Sequence, residues 1–369
     1  MTGVVEIGPG KTARRGYRLD DVAIVPTRRT RSSRDVSTAW QIDAFRFGIP
    51  AVAHPSDATM SPATAVEFGR QGGLGVLNAE GLWARFEDPD EQLAAIAGSP
   101  DATALLQELY AEPMLPDLID ARVREMRDAG VTTSARVSPQ HAMALAPVLI
   151  DAGVDILVIQ GTIVSAEHVS SQHEALNLKE FIADLDVPVI VGGATTYQTA
   201  LHLMRTGAAG VIVGMGADTA ATTEEVLGIR TPMASVIADA AAARRDYLDE
   251  TGGRYAHVIA DGEIRRSGDI AKAIACGADA VMLGEVLTGV RGLPARGAWW
   301  ESTASHPQLP RGVVGAPTTA VGDLATVLHG PAVDATGRSN LFGGLARTMA
   351  KTGFCDLKDF QKVGLIATA

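Results

Sequence analysis

Two stretches, Gly207-Ala-Ala-Gly-Val-Ile-Val-Gly214 and Gly277-Ala-Asp-Ala-Val-Met-Leu-Gly284, decide the fold of this 369-residue chain. Each begins with a glycine that ends a helical pattern, and each continues directly into a short apolar run. Glycine just past a helix takes the left-handed cap conformation without a Cβ penalty, and an immediate turn suits a short helix-to-strand loop. Asp151-Ala-Gly-Val-Asp-Ile-Leu-Val158 repeats the theme. The repeat predicts helices and strands that alternate along the chain.

Eight short runs rich in β-branched residues recur between amphipathic stretches of helical spacing. Most of these runs show little polar alternation, which is typical of strands buried on both faces. Eight such strands alternating with helices predict an α/β fold with a closed parallel barrel, the (β/α)8 TIM barrel, rather than an open sheet. The predicted strands are Ile49–His54, Leu74–Asn78, Thr133–Val137, Asp155–Gln160, Val187–Gly192, Gly210–Gly214, Ala256–Asp261 and Asp279–Gly284.

The segments between and after the strands predict the rest of the architecture. Helices are expected at Thr199–Thr206, Pro232–Glu250 and Asp269–Ala275. The connection over about 79–132 is predominantly helical and is predicted to elaborate one barrel loop. The region 287–369 is rich in glycine and proline at its start and is predicted to add packing elements. We therefore expect one barrel domain with an N-terminal extension, a helical insertion and a C-terminal tail.

Composition excludes several classes of function. Lys and Arg total 32 against 43 Asp and Glu, a net charge of −11, which argues against a nucleic-acid surface. The short basic run at 28–34 is better explained as a solvated loop. The chain has two cysteines, Cys276 and Cys355, without a CxxC pair, so neither a disulfide framework nor a cysteine zinc site is expected.

The sequence predicts neither a secretory signal nor a membrane helix. The N-terminus shows no apolar stretch after its basic residues, so no secretory signal is expected. The most apolar span, Met143–Ile159, is interrupted by Asp151 and Asp155, which excludes a membrane helix. We expect no association with a membrane, and the cytoplasm is the predicted location.

Seven motifs in order add a family likeness to this scaffold. They are Leu19-Asp-Asp-Val-Ala-Ile-Val-Pro26, Gly72-Gly-Leu-Gly-Val-Leu-Asn78, Val187-Pro-Val-Ile-Val-Gly-Gly193, the run from Gly207 to Gly216, Ile259-Ala-Asp-Gly262 with Arg266-Ser-Gly-Asp269, Val281-Met-Leu-Gly284 and Gly343-Gly-Leu-Ala-Arg347. In this order the motifs resemble those of the IMP dehydrogenase/GMP reductase family, and the resemblance covers essentially residues 17–365. The regulatory CBS modules common in that family are absent, so the chain is most similar to IMP dehydrogenase-related bacterial proteins without them.

The resemblance implies a thiol mechanism for which this sequence lacks the residue. In the family, a loop after strand six carries a cysteine nucleophile in a pattern like GxGxGSxCTTR. Aligning Gly214, Gly216, Thr222 and Thr223 places Thr219 at the serine, Ala221 at the cysteine and Glu224 at the arginine. A methyl group has no lone pair and cannot form the covalent intermediate. Neither cysteine is expected to replace it, because Cys276 precedes strand eight at the far end of the barrel and Cys355 is in the tail. Thr223 and Arg311 are weak catalytic candidates.

The phosphate site that the resemblance implies is also altered. The family binds the nucleotide phosphate through backbone N–H groups of a DGG turn after strand seven and a Gly-Ser after strand eight. Here these read Asp261-Gly262-Glu263 and Gly284-Glu285. Asp261 keeps the position that holds ribose hydroxyls, but two glutamates stand where a phosphate is expected. A like-charge pair about 4 Å apart costs about 1 kcal/mol in water and about 4 kcal/mol at a partly screened surface. Arg265 and Arg266 would offset this only by folding inward, and an outward orientation is favoured.

Further positions depart from the family pattern on the cofactor and substrate sides. Gln160 replaces an aspartate expected near the nicotinamide, Gly161 follows it, and Gly193 replaces an asparagine. Ser56 replaces the methionine of a "PMD" motif, whereas Pro55 and Asp57 are kept. Asp218 replaces a loop glycine, which weakens the case for a potassium site. The remaining predictions are a surface location for Arg311, an acid/base or a structural role for His54, a structural role for His257, and no metal site.

Three hypotheses follow. The first is an oxidoreductase of purine nucleotide metabolism that uses NAD or NADP. The second is a non-catalytic ligand-binding or regulatory partner of an active IMP dehydrogenase, with the homotetramer of the family as the expected assembly. The third is an enzyme with a changed substrate, either an unphosphorylated nucleoside or a cation suited to an acidic mouth formed by Asp218, Glu224, Glu263 and Glu285.

Overall fold

Eight parallel strands form a ring in the computed structural model of the chain, which describes residues 3–162, 164–166, 176–216 and 219–368. Barrel strands 2 to 8 pair in sequence order, strand 8 pairs with strand 1, and a parallel bridge between Val52 and Leu74 joins strand 1 to strand 2. The predicted TIM barrel is confirmed. Barrel strands 1 to 8 are Ala51–Ala53, Leu77–Asn78, Ser134–Val137, Ile156–Gln160, Val189–Ala194, Gly210–Gly214, His257–Asp261 and Ala280–Leu283.

The glycines of the internal repeat have the backbone conformation that the sequence predicts. Gly153 caps helix Ala142–Ala152 with φ 94° and ψ 41°. Gly277 has φ 118°, and a Cβ there would lie 2.5 Å from the Cβ of Ala241. Each glycine therefore both reverses the chain and allows a neighbouring helix to pack closely. The strands that follow are buried on both faces; every residue from Ile156 to Ile159 is fully buried.

Helices surround the ring, and the three predicted helices are found with their bounds shifted by at most two residues. The α-helices are Pro62–Arg70, Asp90–Gly98, Ala102–Ala111, Pro116–Asp128, Ala142–Ala152, Leu178–Ala183, Tyr197–Arg205, Thr223–Leu227, Met233–Thr251, Ser267–Ala275, Leu324–His329, Leu341–Lys351 and Leu357–Phe360. Short 3-10 helices lie at Leu19–Asp21, Ser33–Asp35, Leu82–Ala84, Glu285–Gly289 and Ser302–Ser305. Within the described residues, no helix combines the length and the apolar character needed to cross a membrane.

Smaller strand pairs lie outside the barrel. Val4–Gly8 pairs with Lys11–Arg14, Trp40–Ile42 pairs with Phe45–Phe47, and the C-terminal strand Leu365–Ala367 pairs antiparallel with Val22–Ile24. The last pair joins the C-terminal segment to a strand of the N-terminal segment.

A buried charge network closes the N-terminal end of the barrel. Asp279 accepts hydrogen bonds from Arg244 (2.6 Å), Lys358 (2.5 Å) and Tyr255 (2.8 Å). Burial alone would raise the pKa of Asp279, but the charges of Arg244 and Lys358 lower it to about 2. His257 lies beside Tyr255, with their ring centroids 4.9 Å apart, and burial lowers its pKa to about 4. The charge network therefore stabilises the N-terminal end of the barrel, and His257, for which a structural role is predicted, lies within it.

The helical segment 79–132 and the tail after residue 287 meet at the other end, above the carboxyl ends of the strands. Trp300 Nε1 donates to the hydroxyl of Tyr110 at 3.2 Å, and Gln107 Nε2 donates to the His306 carbonyl at 2.9 Å. Buried Leu106 and Trp299 belong to the same apolar cluster, which is separate from the barrel core. The two segments together build a wall around the mouth of the barrel.

Candidate active site at the barrel mouth

A cavity of about 630 Å³ opens among the carboxyl ends of the strands. Its size lies within the range typical of small-molecule sites. The strand ends contribute His54, Asn78, Arg136, Gln160 and Asp261, whereas the insertion contributes Arg85 and Tyr110 and the tail contributes Glu301, His306 and Arg311. A cavity in this position is where TIM-barrel enzymes carry out their chemistry.

The residues predicted from sequence divide into three groups. Gln160, Gly161, Asp261 and Arg311 line the large cavity. A small adjoining cavity of about 20 Å³, here called the phosphate corner, is lined by Gly216, Gly262, Glu263, Gly284 and Glu285 together with His54 and Asp261. The remaining described residues, which line neither cavity, are Ser56, Asp57, Gly193, Gly214, Thr219, Ala221 and Thr223. Asp218 lies outside the described residues.

A buried polar pair spans the floor of the large cavity. Gln160 Nε2 donates to Asp261 Oδ2 at 3.0 Å, which joins the ends of strands 4 and 7. The other amide atom, Gln160 Oε1, is buried and has no hydrogen-bond partner within the described residues. Such an atom costs free energy unless something donates to it, because burial removes its water. Gln160 is therefore poised to accept a hydrogen bond from a ligand.

His54 supplies a second buried polar atom at the mouth. Its Nδ1 has no hydrogen-bond partner among the described residues, and its ring packs edge-on against Trp299 with centroids 5.3 Å apart. Burial, and secondly the charge of Arg136, lower the pKa of His54 to about 3. The imidazole is neutral at physiological pH and can offer one donor and one acceptor nitrogen.

Glu301 is the residue that sequence reasoning missed. It comes from the glycine- and proline-rich tail, is only 5% exposed, and lines the large cavity. It packs against the exit of strand 6: a Cβ on Gly216 would lie 2.1 Å from Glu301 Oε1, and Gly216 has φ 67°. Only glycine fits there. No periodic pattern marks Glu301, so nothing in the sequence indicated that the tail returns to the strand ends.

The phosphate corner holds two carboxylates that the chain itself satisfies. Glu285 accepts from the Thr219 backbone N at 3.0 Å and from the Thr219 hydroxyl at 2.5 Å. Glu263, which is buried, accepts from Arg18 Nε at 3.0 Å and from the Leu19 backbone N at 2.8 Å. Backbone and hydroxyl donors of this kind are those that bind anions. Here they already bind the side chains of the protein.

The two arginines beside the phosphate corner do not turn into it. Arg265 forms an ion pair with Asp20 at 2.6 Å, and Arg266 is exposed. The outward orientation favoured from the sequence is therefore found for both residues. Within the described residues neither guanidinium forms an ion pair with Glu263 or Glu285, although the charge of Glu263 contributes to raising the pKa of Arg265.

The loop aligned with the family's nucleophile is fixed to the tail. Ala221 forms an antiparallel bridge with Gly312, and the Val313 backbone N donates to the Ala220 carbonyl at 2.9 Å. Neither cysteine of the sequence lines a described cavity. Cys276 ends the helix that precedes strand 8, at the opposite end of the barrel, and burial raises its thiol pKa to about 12. A thiol that stays protonated is a poor nucleophile.

Arg311 corrects one prediction. We expected a surface arginine, but it is partly buried and lines the cavity, where its guanidinium donates to Thr162 Oγ1 at 3.3 Å. The physical reason is the bridge between Ala221 and Gly312, which carries residue 311 across the mouth. Sequence spacing alone does not reveal such a long-range contact.

Several predicted site residues serve as packing behind the cavity. Ser56 Oγ donates to the Trp300 carbonyl at 2.5 Å. Asp57 accepts from the Tyr110 hydroxyl and from the Leu82 backbone N, and burial raises its pKa to about 6. A Cβ on Gly193 would lie 2.1 Å from the Gly214 carbonyl oxygen, so the asparagine of the family does not fit this backbone.

The expected acidic mouth is also corrected. Glu224 pairs with Arg230 at 3.0 Å and lines neither cavity, and Glu263 and Glu285 are bound as described. The large cavity instead carries positive groups beside its carboxylates, namely Arg85, Arg136 and Arg311. Those carboxylates are Glu80, Asp261 and Glu301, so the lining is of mixed charge and not predominantly acidic.

Comparison with known proteins places the chain among relatives over almost its whole length. The sequence profile of the IMP dehydrogenase / GMP reductase domain matches residues 16–368. An uncharacterized oxidoreductase of Mycolicibacterium smegmatis is 60% identical, covering 98% of this chain and 99% of that protein. An uncharacterized oxidoreductase of Mycobacterium tuberculosis is 61% identical, with 98% and 99% covered. The crystal structure of an IMP dehydrogenase/GMP reductase-like protein from Corynebacterium glutamicum superposes with a TM-score of 0.94 at 53% identity, covering 99% of this chain and 98% of that one. The chain belongs to the IMP dehydrogenase/GMP reductase family.

Proposed function

We propose that the chain is an NAD(P)-dependent oxidoreductase that acts on an unphosphorylated, nucleoside-like substrate. The observation that carries this proposal is the pair of internal carboxylates in the phosphate corner, where Glu285 holds Thr219 N and Oγ1 and Glu263 holds Leu19 N and Arg18. A phosphate at this corner would find those donors occupied and would meet two carboxylates, of which Glu263 is paired with Arg18 and Glu285 is bound only to the neutral donors of Thr219. Each like-charge contact at about 4 Å costs about 1 to 4 kcal/mol, depending on screening.

The large cavity favours a bound ligand over an empty scaffold. Gln160 Oε1 and His54 Nδ1 are buried without hydrogen-bond partners in the described part of the chain. Each such atom costs about 1 to 3 kcal/mol until a ligand or an ordered water pairs with it. Asp261 beside them offers carboxylate oxygens to hydroxyl groups such as those of a ribose. The pairing of Asp261 with Gln160 orients both side chains in advance.

A nicotinamide cofactor fits part of this lining. The carboxamide of nicotinamide carries N–H donors, and the unpaired Gln160 Oε1 is an acceptor that matches them. Gly161 lies next to it on the cavity wall and presents no side chain. Gly193, the third predicted cofactor residue, lies behind the wall. The cofactor would supply a hydride acceptor or donor, and Gln160 and Gly161 would hold it.

Oxidation of a hydroxyl-bearing carbon requires no thiol. In such an oxidation the substrate would lose its C–H hydrogen as a hydride, which a bound nicotinamide would accept, and its O–H hydrogen as a proton, which needs a base on the protein, as the C=O bond forms. We assign the base to Glu301, because it is a buried carboxylate that lines the large cavity beside Gly216, at the exit of strand 6. The neutral imidazole of His54 can orient the substrate without adding charge.

Two measurements test the proposal. In a thermal-shift series, inosine and guanosine should raise the melting temperature more than IMP and GMP at equal concentration, because the phosphate is excluded. With NAD+ or NADP+ present, the wild type should reduce the cofactor with an unphosphorylated substrate, which is followed by absorbance at 340 nm. Glu301→Gln should bind the same substrate but should not turn it over. Glu225→Gln, an equal charge change at an exposed site, is the control. Stronger stabilisation by the monophosphates would refute the proposal.

A second candidate, a non-catalytic partner of an active IMP dehydrogenase, is favoured by the loop at Ala221. Its bridge to Gly312 fixes a segment that carries the nucleophile in catalytic relatives. In that case, the chain should co-purify with such an enzyme as a mixed oligomer and alter its rate. Clean self-assembly without effect on that enzyme would exclude this role.

A further inference from the structure

We infer that the wall of the large cavity next to strands 2 and 3 binds an oxyanion of the ligand, a carboxylate or a phosphoryl group, through Arg136 and Arg85. The inference deepens the proposed function, because it concerns the same cavity, and its test does not depend on turnover. This wall, here called the arginine wall, lies on a different set of strands from the phosphate corner, which is built by residues after strands 6, 7 and 8.

Arg136 is a buried cation whose direct partners are neutral. Its Nε and Nη2 donate to the Gln160 carbonyl at 3.2 and 2.7 Å, and its Nη1 donates to Asn78 Oδ1 at 3.4 Å. The residue is 8% exposed and lines the cavity. A buried charge without a directly bonded counter-charge is unfavourable, so an anionic ligand would be stabilised here.

The nearest carboxylate of the described chain is already engaged elsewhere. Glu80 Oε2 lies 3.8 Å from Arg136 Nη1 but only 2.9 Å from His141 Nδ1, and Glu80 Oε1 accepts from the Ser138 backbone N. Burial alone would raise the pKa of Glu80, but the His141 hydrogen bond and the charge of Arg136 lower it to about 2. Glu80 is therefore ionised and shared, and it does not fully neutralise the guanidinium of Arg136.

Arg85 adds a second guanidinium to the same wall. It donates to two backbone carbonyls, those of Glu80 at 3.1 Å and of Glu112, while its buried Nε has no partner among the described residues. Arg136 and His141 thus share the carboxylate of Glu80. Arg85 forms no ion pair within the described residues and interacts with the charges of Asp57, Glu80 and Glu112 only at longer range. Guanidinium groups with unused donors recognise carboxylate and phosphoryl oxygens by paired hydrogen bonds.

The two sources of such an oxyanion can be separated with simple probes. Inorganic pyrophosphate stands for the bridging group of a nicotinamide dinucleotide, and benzoate stands for a carboxylate on a ring-bearing substrate. Each is titrated calorimetrically into the full chain, its Arg136→Gln and Arg85→Gln variants, and the control Arg205→Gln. Arg205 pairs with Glu250, and both side chains are exposed, so the control makes the same charge change away from the cavity.

At least one probe should bind to the wild type, and its dissociation constant should rise by about tenfold or more in Arg136→Gln and in Arg85→Gln, but by less than about twofold in Arg205→Gln. Arg136→Lys, which keeps the charge but loses the planar fork, should give an intermediate value. Pyrophosphate alone would assign the wall to the cofactor, and benzoate alone would assign it to the substrate.

Affinity unchanged in both glutamine variants, or no binding of either probe, would overturn the inference. Because Arg136 is buried, the melting temperature of each variant is measured first. Arg85→Gln, whose side chain is partly exposed, keeps the test decisive if Arg136→Gln is unstable. Probe binding that depends on the arginines, together with a lack of turnover, would refute the proposed function and leave this inference standing.

Discussion

Removing the negative charge of Glu285 should open the phosphate corner to a nucleoside monophosphate. Glu285 holds the two Thr219 donors at 3.0 and 2.5 Å, so a phosphate is excluded both by charge and by the loss of those donors. One like-charge contact relieved is worth about 1 to 4 kcal/mol. Each hydrogen bond regained adds about 1 kcal/mol. The affinity for IMP relative to inosine should rise by about tenfold at least, since 1.4 kcal/mol is one factor of ten.

Two substitutions separate charge from space. Glu285→Gln keeps the size of the side chain and removes only the charge, whereas Glu285→Ser also leaves room beside Thr219. Calorimetric titration with inosine and IMP gives the ratio of the two dissociation constants for each variant. The ratio should shift toward IMP in Glu285→Gln and further in Glu285→Ser. Glu224→Gln, whose residue pairs with Arg230 away from both cavities, is the matched control.

The reasoning fails if the ratio stays the same in both variants or moves as much in the control. An unchanged ratio would mean that the carboxylate of Glu285 does not decide phosphate binding. Salt dependence gives an internal check, because a charge effect at this partly exposed corner weakens as ionic strength rises.

Other predictions concern stability and the fit of Glu301. The pKa of Asp279 is lowered to about 2, so its contribution to stability is present above pH 4 and is lost as the pH falls toward 2. Asp279→Asn should lower the free energy of unfolding, measured in urea, by about 3 kcal/mol at pH 7, and the difference from the wild type should become smaller in acid. The pKa of Asp57 is raised to about 6, so its contribution is present below pH 4 and is lost as the pH rises through 6. The free energy of unfolding of Asp57→Asn should therefore be higher than that of the wild type by up to about 3 kcal/mol at pH 8 and equal to it at pH 4. A difference in thermal stability that is larger at pH 4 than at pH 8 would contradict this assignment. Gly216→Ala places a Cβ 2.1 Å from Glu301 Oε1 and should abolish turnover with a fall of only a few degrees in melting temperature; full activity would show that Glu301 is not the base.

The barrel could be predicted because its determinants are local. Gly153 and Gly277 end their helices with positive φ, and the apolar runs that follow them are the strands. Strand 2 is the weakest of these, since only Leu77–Asn78 pairs as a strand and Leu74 contributes an isolated bridge. The strand ends in turn identified Gln160 and Asp261 as residues of the mouth.

The rest of the site depends on contacts between distant segments. Glu301 and Arg311 reach the mouth because the tail folds back across strand 6, and Tyr110 reaches it from the helical insertion. The acidic character of the phosphate corner was visible in the sequence at Glu263 and Glu285. Their internal partners were not, because Arg18 and Leu19 come from the N-terminal segment. Irregular segments carry no periodic signal for where they pack.

A crystal structure soaked in turn with inosine and with IMP tests the central claim most directly. Our account predicts the nucleoside in the large cavity, with hydroxyl groups on Asp261 and with the carboxylate of Glu285 still bound to Thr219. A phosphate held by Thr219 and the backbone of Gly262 and Gly284, with Glu285 displaced, would contradict it.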